Sequence, residues 1–428
     1  MKDQLFYFST TTRRTFLILT LAIFFMNLTS VAAHAGKRRT DSTIDTLRPD
    51  LIVAKDGSGS FKTLGEALLN VTNASTHRII IYVKNGVYNE KVTVNRPNVT
   101  IIGESRKNTR IEFSIPAGNE SISRGVFNIF GNGVVLENLT IANTYPHRRH
   151  TFALYGRGSF VITKNCDFIA NGNDTVALWA EGGGYYYHDN CHFEGNIDFL
   201  CPRGWCYVNN STFYEVDTRA ALWHDGGKDP GKKLVIKNSK FDGARSYPLG
   251  RYPRDSQFYL IGCQFSDSTR NIIDTNAPSS PNDDFQWGRR VYFADCSAEK
   301  GKPQWLNNNL SKAAGAPSIS DITAKWTFDD KWDPERTDAP EVLEVKIGKV
   351  HRTVDVVFSE PVTVRGNPVI KTKAGKTLKW TASNGGSVLR FALLDKGDKP
   401  EKIDVGTGLI FASEASVNIR VAGLKLKP

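Results

Sequence analysis

Several hallmarks of large protein classes are missing from this 428-residue chain. The N-terminal apolar run Phe16–Met26 holds about a dozen residues, short of the roughly 20 that span a bilayer. No Cys-x-x-Cys pair or Cys/His cluster has zinc spacing. No RNA-binding motif or basic helix is present, so nucleic acid is a poor partner for it. Amphipathic helical stretches of 10–15 residues are absent between the apolar runs of its middle. With 40% hydrophobic and 23% charged residues, the chain is neither disordered nor collagen-like nor a polytopic membrane protein. The middle also lacks an excess of either charge. Of the net +11, five units lie in residues 1–40 and six in 341–428, while 41–340 holds 34 bases and 34 acids.

What is there begins with Arg13-Arg14, then the apolar run, then Ala33-His34-Ala35. That layout is a secretory signal peptide over 1–35, cleaved before Gly36. Thr12–Leu17 also resembles a twin-arginine export motif, which implies a bacterium and a periplasmic or extracellular destination. Residues 36–49 are a linker. Export permits disulfides, and Cys201 and Cys206 are close enough to bridge a short loop.

From about residue 134 a pattern recurs: alternating apolar residues, Asn or Asp, Cys or Ser, then Phe two positions on. Its Cys/Ser positions are 166, 191, 211, 239, 263 and 296, spaced 25, 20, 28, 24 and 33 residues apart. Such self-similarity with strand-like runs predicts a parallel β-helix, each repeat one coil. The repeated Asn, Cys and Phe would form internal ladders. Cys166, Cys191, Cys263 and Cys296 are then stacked core residues, not ligands.

Residues 324–340 look like the solenoid's closing wrap, with Thr337–Pro340 a linker. Alternating runs at 344–347, 354–358, 369–372, 388–391 and 417–421 then predict a small β-sandwich over 341–428. It resembles bacterial immunoglobulin-like modules. The fold class is all-β: a right-handed parallel β-helix over 50–336 followed by that sandwich.

Asp174 lies 8 residues after Cys166 and Asp198 lies 7 after Cys191, so one coil separates two carboxylates at nearly the same phase. At one strand spacing both cannot ionise easily. One stays an acid and the other serves as nucleophile or base. Arg251, 53 residues beyond Asp198 and so roughly two coils on, is the candidate counter-ion. Spacing alone favours two turn or ladder residues over a catalytic pair.

Over about residues 50–335 the chain resembles the pectin methylesterases. Ile52–Ala67, Ile81–Lys91, Val99–Glu104 and Gly133–Asn143 follow that family's order. Gly195-Asn-Ile-Asp198-Phe-Leu matches its Gly-x-Val-Asp-Phe-Ile motif, and Leu249-Gly250-Arg251 matches the start of Leu-Gly-Arg-Pro-Trp. The resemblance implies a carbohydrate esterase acting on methyl-esterified galacturonan, with Asp198 the nucleophile, Asp174 the general acid and base, and Arg251 holding Asp198. It implies Phe199, Tyr252 and Trp179 as sugar-stacking residues, and neither metal nor organic cofactor. The partner is a pectin-like polysaccharide, and the protein is a monomer without nucleic acid or membrane.

Two family glutamines differ here. Asn173 stands in Gln-Asp-Thr, and His150 stands in Gln-Ala-Val-Ala-Leu. Both stabilise the tetrahedral intermediate in the family, so the oxyanion geometry must differ. Tyr252-Pro253 replaces Pro-Trp. Asn-x-Ser/Thr sequons at Asn98, Asn138 and Asn173 are incidental in a bacterial protein. Rival readings are another ester, glycoside or thioester hydrolase on this fold, or a non-catalytic polysaccharide-binding solenoid.

Overall fold

The computed structural model describes residues 49–71, 78–116, 124–227, 229–251, 254–273, 288–336, 342–348, 352–358, 362–365, 368–382, 388–404 and 409–412. The expected signal peptide and the 337–340 linker lie outside them.

Three stacks of parallel strands form the solenoid. The first has ten strands, from Leu51–Val53 to Arg289–Ala294. The second has nine, from Gly86–Asn89 to Ser297–Ala298. The third has four, Val92–Val94, Phe127–Ile129, Leu154–Gly156 and Val176–Leu178. Single bridges Val176–Leu200, Leu200–Leu222 and Leu222–Gly250 extend the third stack down the axis.

The sequence repeat explains the turn between the first and second stacks. Asn138, Asn165, Asn190, Asn210, Asn238 and Asp295 all have φ between 49° and 56°, the left-handed region that Asn and Asp tolerate best. Their side chains also bond along the axis: Asn165 Nδ2 donates to Asn138 Oδ1 at 2.7 Å, and Asn190 Nδ2 to Asn165 Oδ1 at 3.1 Å. Beneath them the phenylalanines stack. Phe168, Phe193, Phe213, Phe241 and Phe265 have successive centroid distances of 5.7, 5.0, 4.4 and 5.0 Å. All six cysteines are buried and free, so Cys201 and Cys206 form no bridge. Cys166, Cys191, Cys263 and Cys296 belong to the solenoid core, as the repeat predicts.

A six-residue helix, Leu64–Leu69, starts at a Thr63/Glu66 capping box and buries Leu64 and Ala67 in the same core. Trp305 packs edge-on against Phe265 and tilted against Phe293, the last aromatic rungs. The expected closing wrap is placed differently. Ile322, Ala324, Phe328 and Trp332 cover the outer side of the first stack, over Tyr187, Trp205, Tyr207 and Tyr259. They form a strap, not a further coil, because the Phe160–Tyr185–Trp205 ring stack presents apolar surface there.

The C-terminal part is antiparallel, in keeping with a β-sandwich. Six strands run in the order Val342–Ile347, Thr353–Phe358, Val388–Leu393, Thr377–Ala382, Val369–Thr372, Pro400–Asp404. Val362–Arg365 pairs with Leu409–Ala412. Val354, Val356, Phe358, Ile370, Leu389 and Phe391 form a core of their own. The expected strand 417–421 lies outside the described residues.

Candidate active site

Asp174 and Asp198 sit just ahead of the third stack. The Val176–Leu200 bridge fixes an offset of 24 residues, so the two aspartates occupy the same position of consecutive coils. Their backbones are tied in series. Asp174 N–H donates to the Ile197 carbonyl at 2.9 Å, and Asp198 N–H donates to the Ala220 carbonyl at 2.8 Å. Both have positive φ, 60° and 55°, which a carboxylate side chain tolerates and a β-branched one does not. Gly195 permits the turn carrying Asp198, since a Cβ there would lie 2.2 Å from Thr175 Oγ1.

The two carboxyl groups are buried, at 7% and 2% exposure, in opposite environments. Asp198 is gripped by Arg251: Nε donates to Oδ1 at 2.9 Å and to Oδ2 at 2.8 Å, and Nη2 donates to Oδ2. This is a charge-assisted fork on an anion. That bond in turn raises the Arg251 pKa. Asp174 has no such cation. Burial first, then the charge of Asp198, push its pKa from 3.8 up to about 8. At neutral pH it therefore carries a proton.

Asp174 is flanked on both sides. His150 Nε2 lies 3.2 Å from Oδ2, and the Cys201 thiol donates to Oδ1 at 3.6 Å. Burial, Arg124 and Arg251 lower the His150 pKa. A neutral imidazole and a protonated carboxyl thus form a hydrogen bond, not an ion pair. Asn173 is bridged to His150 on the previous coil, and its side chain is half-buried. The structure therefore brings together Asp174, Asp198, Arg251, His150 and Asn173. Trp179 is near them: its indole N–H donates to the Cys201 carbonyl at 2.8 Å.

Phe199 is a correction. It is wholly buried, with its ring centroid 6.3 Å from that of Phe213, so it faces the solenoid interior and cannot stack on a sugar. Tyr252 lies outside the described residues. Cys201, Tyr155 and Arg203 were not foreseen. A signal was available for two of them, because Tyr155 and Cys201 each directly follow a core Leu of the third stack, Leu154 and Leu200; Arg203 lies two residues beyond Cys201. Among the described residues no group of three or more His, Cys, Asp or Glu could hold a metal, and no helix is long and apolar enough to cross a membrane.

A cleft of about 840 Å³ adjoins this cluster, lined by Tyr155, Trp179 and Arg203 among others. It opens beside the carboxylate pair, not over it. Arg203 is close enough for its charge to act on Asp174.

Residues 50–226 match the family model for pectinesterase. The probable pectinesterase/pectinesterase inhibitor 36 of Arabidopsis thaliana is 32% identical over 187 residues, covering 42% of this chain and 35% of that protein. The chain spans 30–40% of the length of three such plant relatives. A pectin methylesterase from Erwinia chrysanthemi superposes with a TM-score of 0.55 at 19% identity, over 67% of this chain and 98% of the other. One from carrot gives 0.52 at 20%, over 61% and 86%. At these identities the structural likeness establishes the fold.

Proposed function

Because residues 50–226 match the pectinesterase family model, we propose that the chain is a carboxylic ester hydrolase that removes methyl groups from galacturonan. The observation that carries this reading is the split pair: Asp198 held as an anion by Arg251, beside Asp174 held neutral. In the proposed reaction an Asp198 oxygen attacks the ester carbonyl carbon. The tetrahedral intermediate collapses as Asp174 gives its proton to the departing methoxide, releasing methanol and leaving an acyl-enzyme. Asp174, now a carboxylate, takes a proton from water, and the resulting hydroxide attacks the acyl carbon. Asp198 leaves as a carboxylate, and Asp174 is again protonated.

We assign His150 and Asn173, which adjoin Asp174, as the oxyanion donors in place of the family's two glutamines. Trp179 supplies the ring for a sugar face. No cofactor enters the scheme. We assign 50–336 to the catalytic solenoid and 341–428 to an accessory sandwich. We read 1–35 as an export signal, giving a monomer that works in the periplasm or outside the cell.

The test is methanol release from highly methylated pectin by the full chain and by Asp198→Ala, with reducing ends counted in parallel. Methanol from the wild type alone, without new reducing ends, is expected. New reducing ends would mean a glycosidase, and silence on every uronate ester would sink the esterase reading.

A further inference from the structure

The C-terminal sandwich carries a basic face that the carboxylate pair does not use. Val369–Thr372 lies between Thr377–Ala382 and Pro400–Asp404 in the six-stranded sheet. Ile370, Leu378 and Ile403 pair across these strands and are buried. Side chains alternate along a strand, so the adjoining positions turn to the opposite face. There Lys371 stands directly opposite Lys402, and Lys379 stands opposite Val369, on the diagonal to Lys371. Opposed Cβ atoms are about 5 Å apart and diagonal neighbours about 7–8 Å. Lys379 and Lys402 are exposed. Lys371 is half-buried, and its Nζ donates to Thr377 Oγ1 at 2.8 Å.

Elsewhere on the same sheet the cations are matched. Arg390 forks onto Asp355, Nε to Oδ1 at 2.7 Å and Nη2 to Oδ2 at 2.6 Å, and Lys346 lies 3.0 Å from Glu344. Among the described residues no carboxylate pairs with Lys371, Lys379 or Lys402. The three strands hold two acids: Asp404, opposite Val369, and Glu401, one residue off the phase of Lys402. Like charges directly opposed destabilise a sheet. A lysine on the edge strand Pro400–Asp404 also blocks pairing with another chain. Lys371 and Lys379 stand on interior strands, where no edge needs protection. Unpaired ammonium groups in such a cluster complement a polymer with a regular series of carboxylates. The face suits an anionic membrane or a nucleic acid less well. It has no exposed large apolar side chain to enter a bilayer, and Trp380, which would stack on a base, packs against the sandwich core.

We propose that Lys371, Lys379 and Lys402 form a docking face for a free polyuronate strand, so that the tail holds the chain on polysaccharide whose methyl groups have been removed. The identity of the polymer rests on the esterase reading, whose product carries one carboxylate per sugar; the basic face itself does not. Because face and solenoid belong to one chain, a strand held here raises the local concentration of its neighbouring sugars at the solenoid.

The test measures binding of polygalacturonate to the full chain by calorimetry at low salt. Wild type is compared with Lys371→Gln/Lys379→Gln/Lys402→Gln. A control removes three exposed lysines from the solenoid instead, Lys62→Gln/Lys107→Gln/Lys312→Gln. The face variant should bind about tenfold more weakly and the control like wild type, with the gap closing as salt is raised. The melting temperature of the face variant should hold or rise, since opposed like charges are removed. If it falls sharply, Lys379→Gln/Lys402→Gln, which alters only exposed side chains, takes its place. Equal weakening in face variant and control means bulk charge and overturns the face, as does no weakening in either. Tighter binding to phosphatidylserine vesicles or to DNA than to polygalacturonate, lost in the face variant, overturns polyuronate as the occupant. Methanol release with polygalacturonate binding untouched by the face variant overturns the face alone. Weakened binding in the face variant without methanol release from wild type supports the face and overturns only the esterase reading.

Discussion

Replacing Asp174 with Asn tests the protonation state on which the proposed chemistry depends. In the folded chain Asp174 keeps its proton up to about pH 8, whereas its ordinary value is 3.8. Between those values the folded state binds one more proton than the unfolded state. Stability must therefore fall as pH rises through this window, by about 1.4 kcal/mol per pH unit. From pH 5 to pH 8 the loss is on the order of 4 kcal/mol, and above pH 8 it levels off because both states are ionised. Asp174→Asn has no proton to lose and escapes the decline. The lowered His150 contributes the opposite slope, but it is present in both proteins. Urea unfolding of wild type and variant at intervals from pH 5 to pH 9 reads the effect directly. The stability gap should open steadily in favour of the variant up to about pH 8. Wild-type kcat/KM for methanol release should fall above the same pH, as the acid loses its proton. A gap that stays constant with pH would mean that Asp174 is already ionised and cannot be the acid.

Arg251→Gln leaves the Asp198 carboxylate, only 3% exposed, without its cation. A loss of about 3–5 kcal/mol is expected at pH 7, shrinking once Asp198 can take up a proton, with methanol release largely lost; unfolding curves at pH 7 and pH 4 check it. Phe199→Ala should cost about 3–5 kcal/mol of stability, because the ring fills the solenoid core, and leave KM unchanged in the folded fraction. Trp179→Ala should instead raise KM for pectin several-fold, with a smaller loss of stability because its ring is only partly buried against Phe152 and Tyr155. A KM effect from Phe199→Ala would place that ring in the cleft after all.

The ladders were legible because one coil position demands one kind of chemistry. A left-handed φ selects Asn or Asp, and the packed interior behind it selects Phe. The carboxylate pair was legible for the same reason, although its phase came out one residue off. Phe168 pairs with Phe193 at an offset of 25 residues, and Val176 with Leu200 at 24, so the earlier coil holds one more residue between the stacks. The resemblance misled at Phe199. It follows Asp198 directly in sequence, yet it points into the core. The strap over the first stack was not readable, because nothing in 322–332 says which surface its apolar residues will meet. Four tail strands were also missed, Val362–Arg365, Leu409–Ala412, Pro400–Asp404 and Thr377–Ala382; of the last two, one opens on a proline and the other sets a Lys beside its Trp. Neither carries the Val-rich run that marks its neighbours.

Charge shows most clearly what counting cannot see. The balance of 34 bases and 34 acids over 41–340 says nothing about which row of the solenoid each residue joins. Because a coil of about two dozen residues contributes one side chain to each row, a handful of positions decides the potential of a cleft. Arg157 and Arg203 share a row, Arg124 and Lys232 flank it, and the opposing acids are only Glu181 and Asp225. Asp225 is itself approached by Arg203 and by Arg254, each at 3.8 Å. At physiological ionic strength fields die over about 8 Å, so a carboxylate lying in the cleft responds chiefly to these lining groups. The tail's +6 adds a long-range attraction for a polyanion. Raising the salt should therefore slow association of a polyanion with the whole chain.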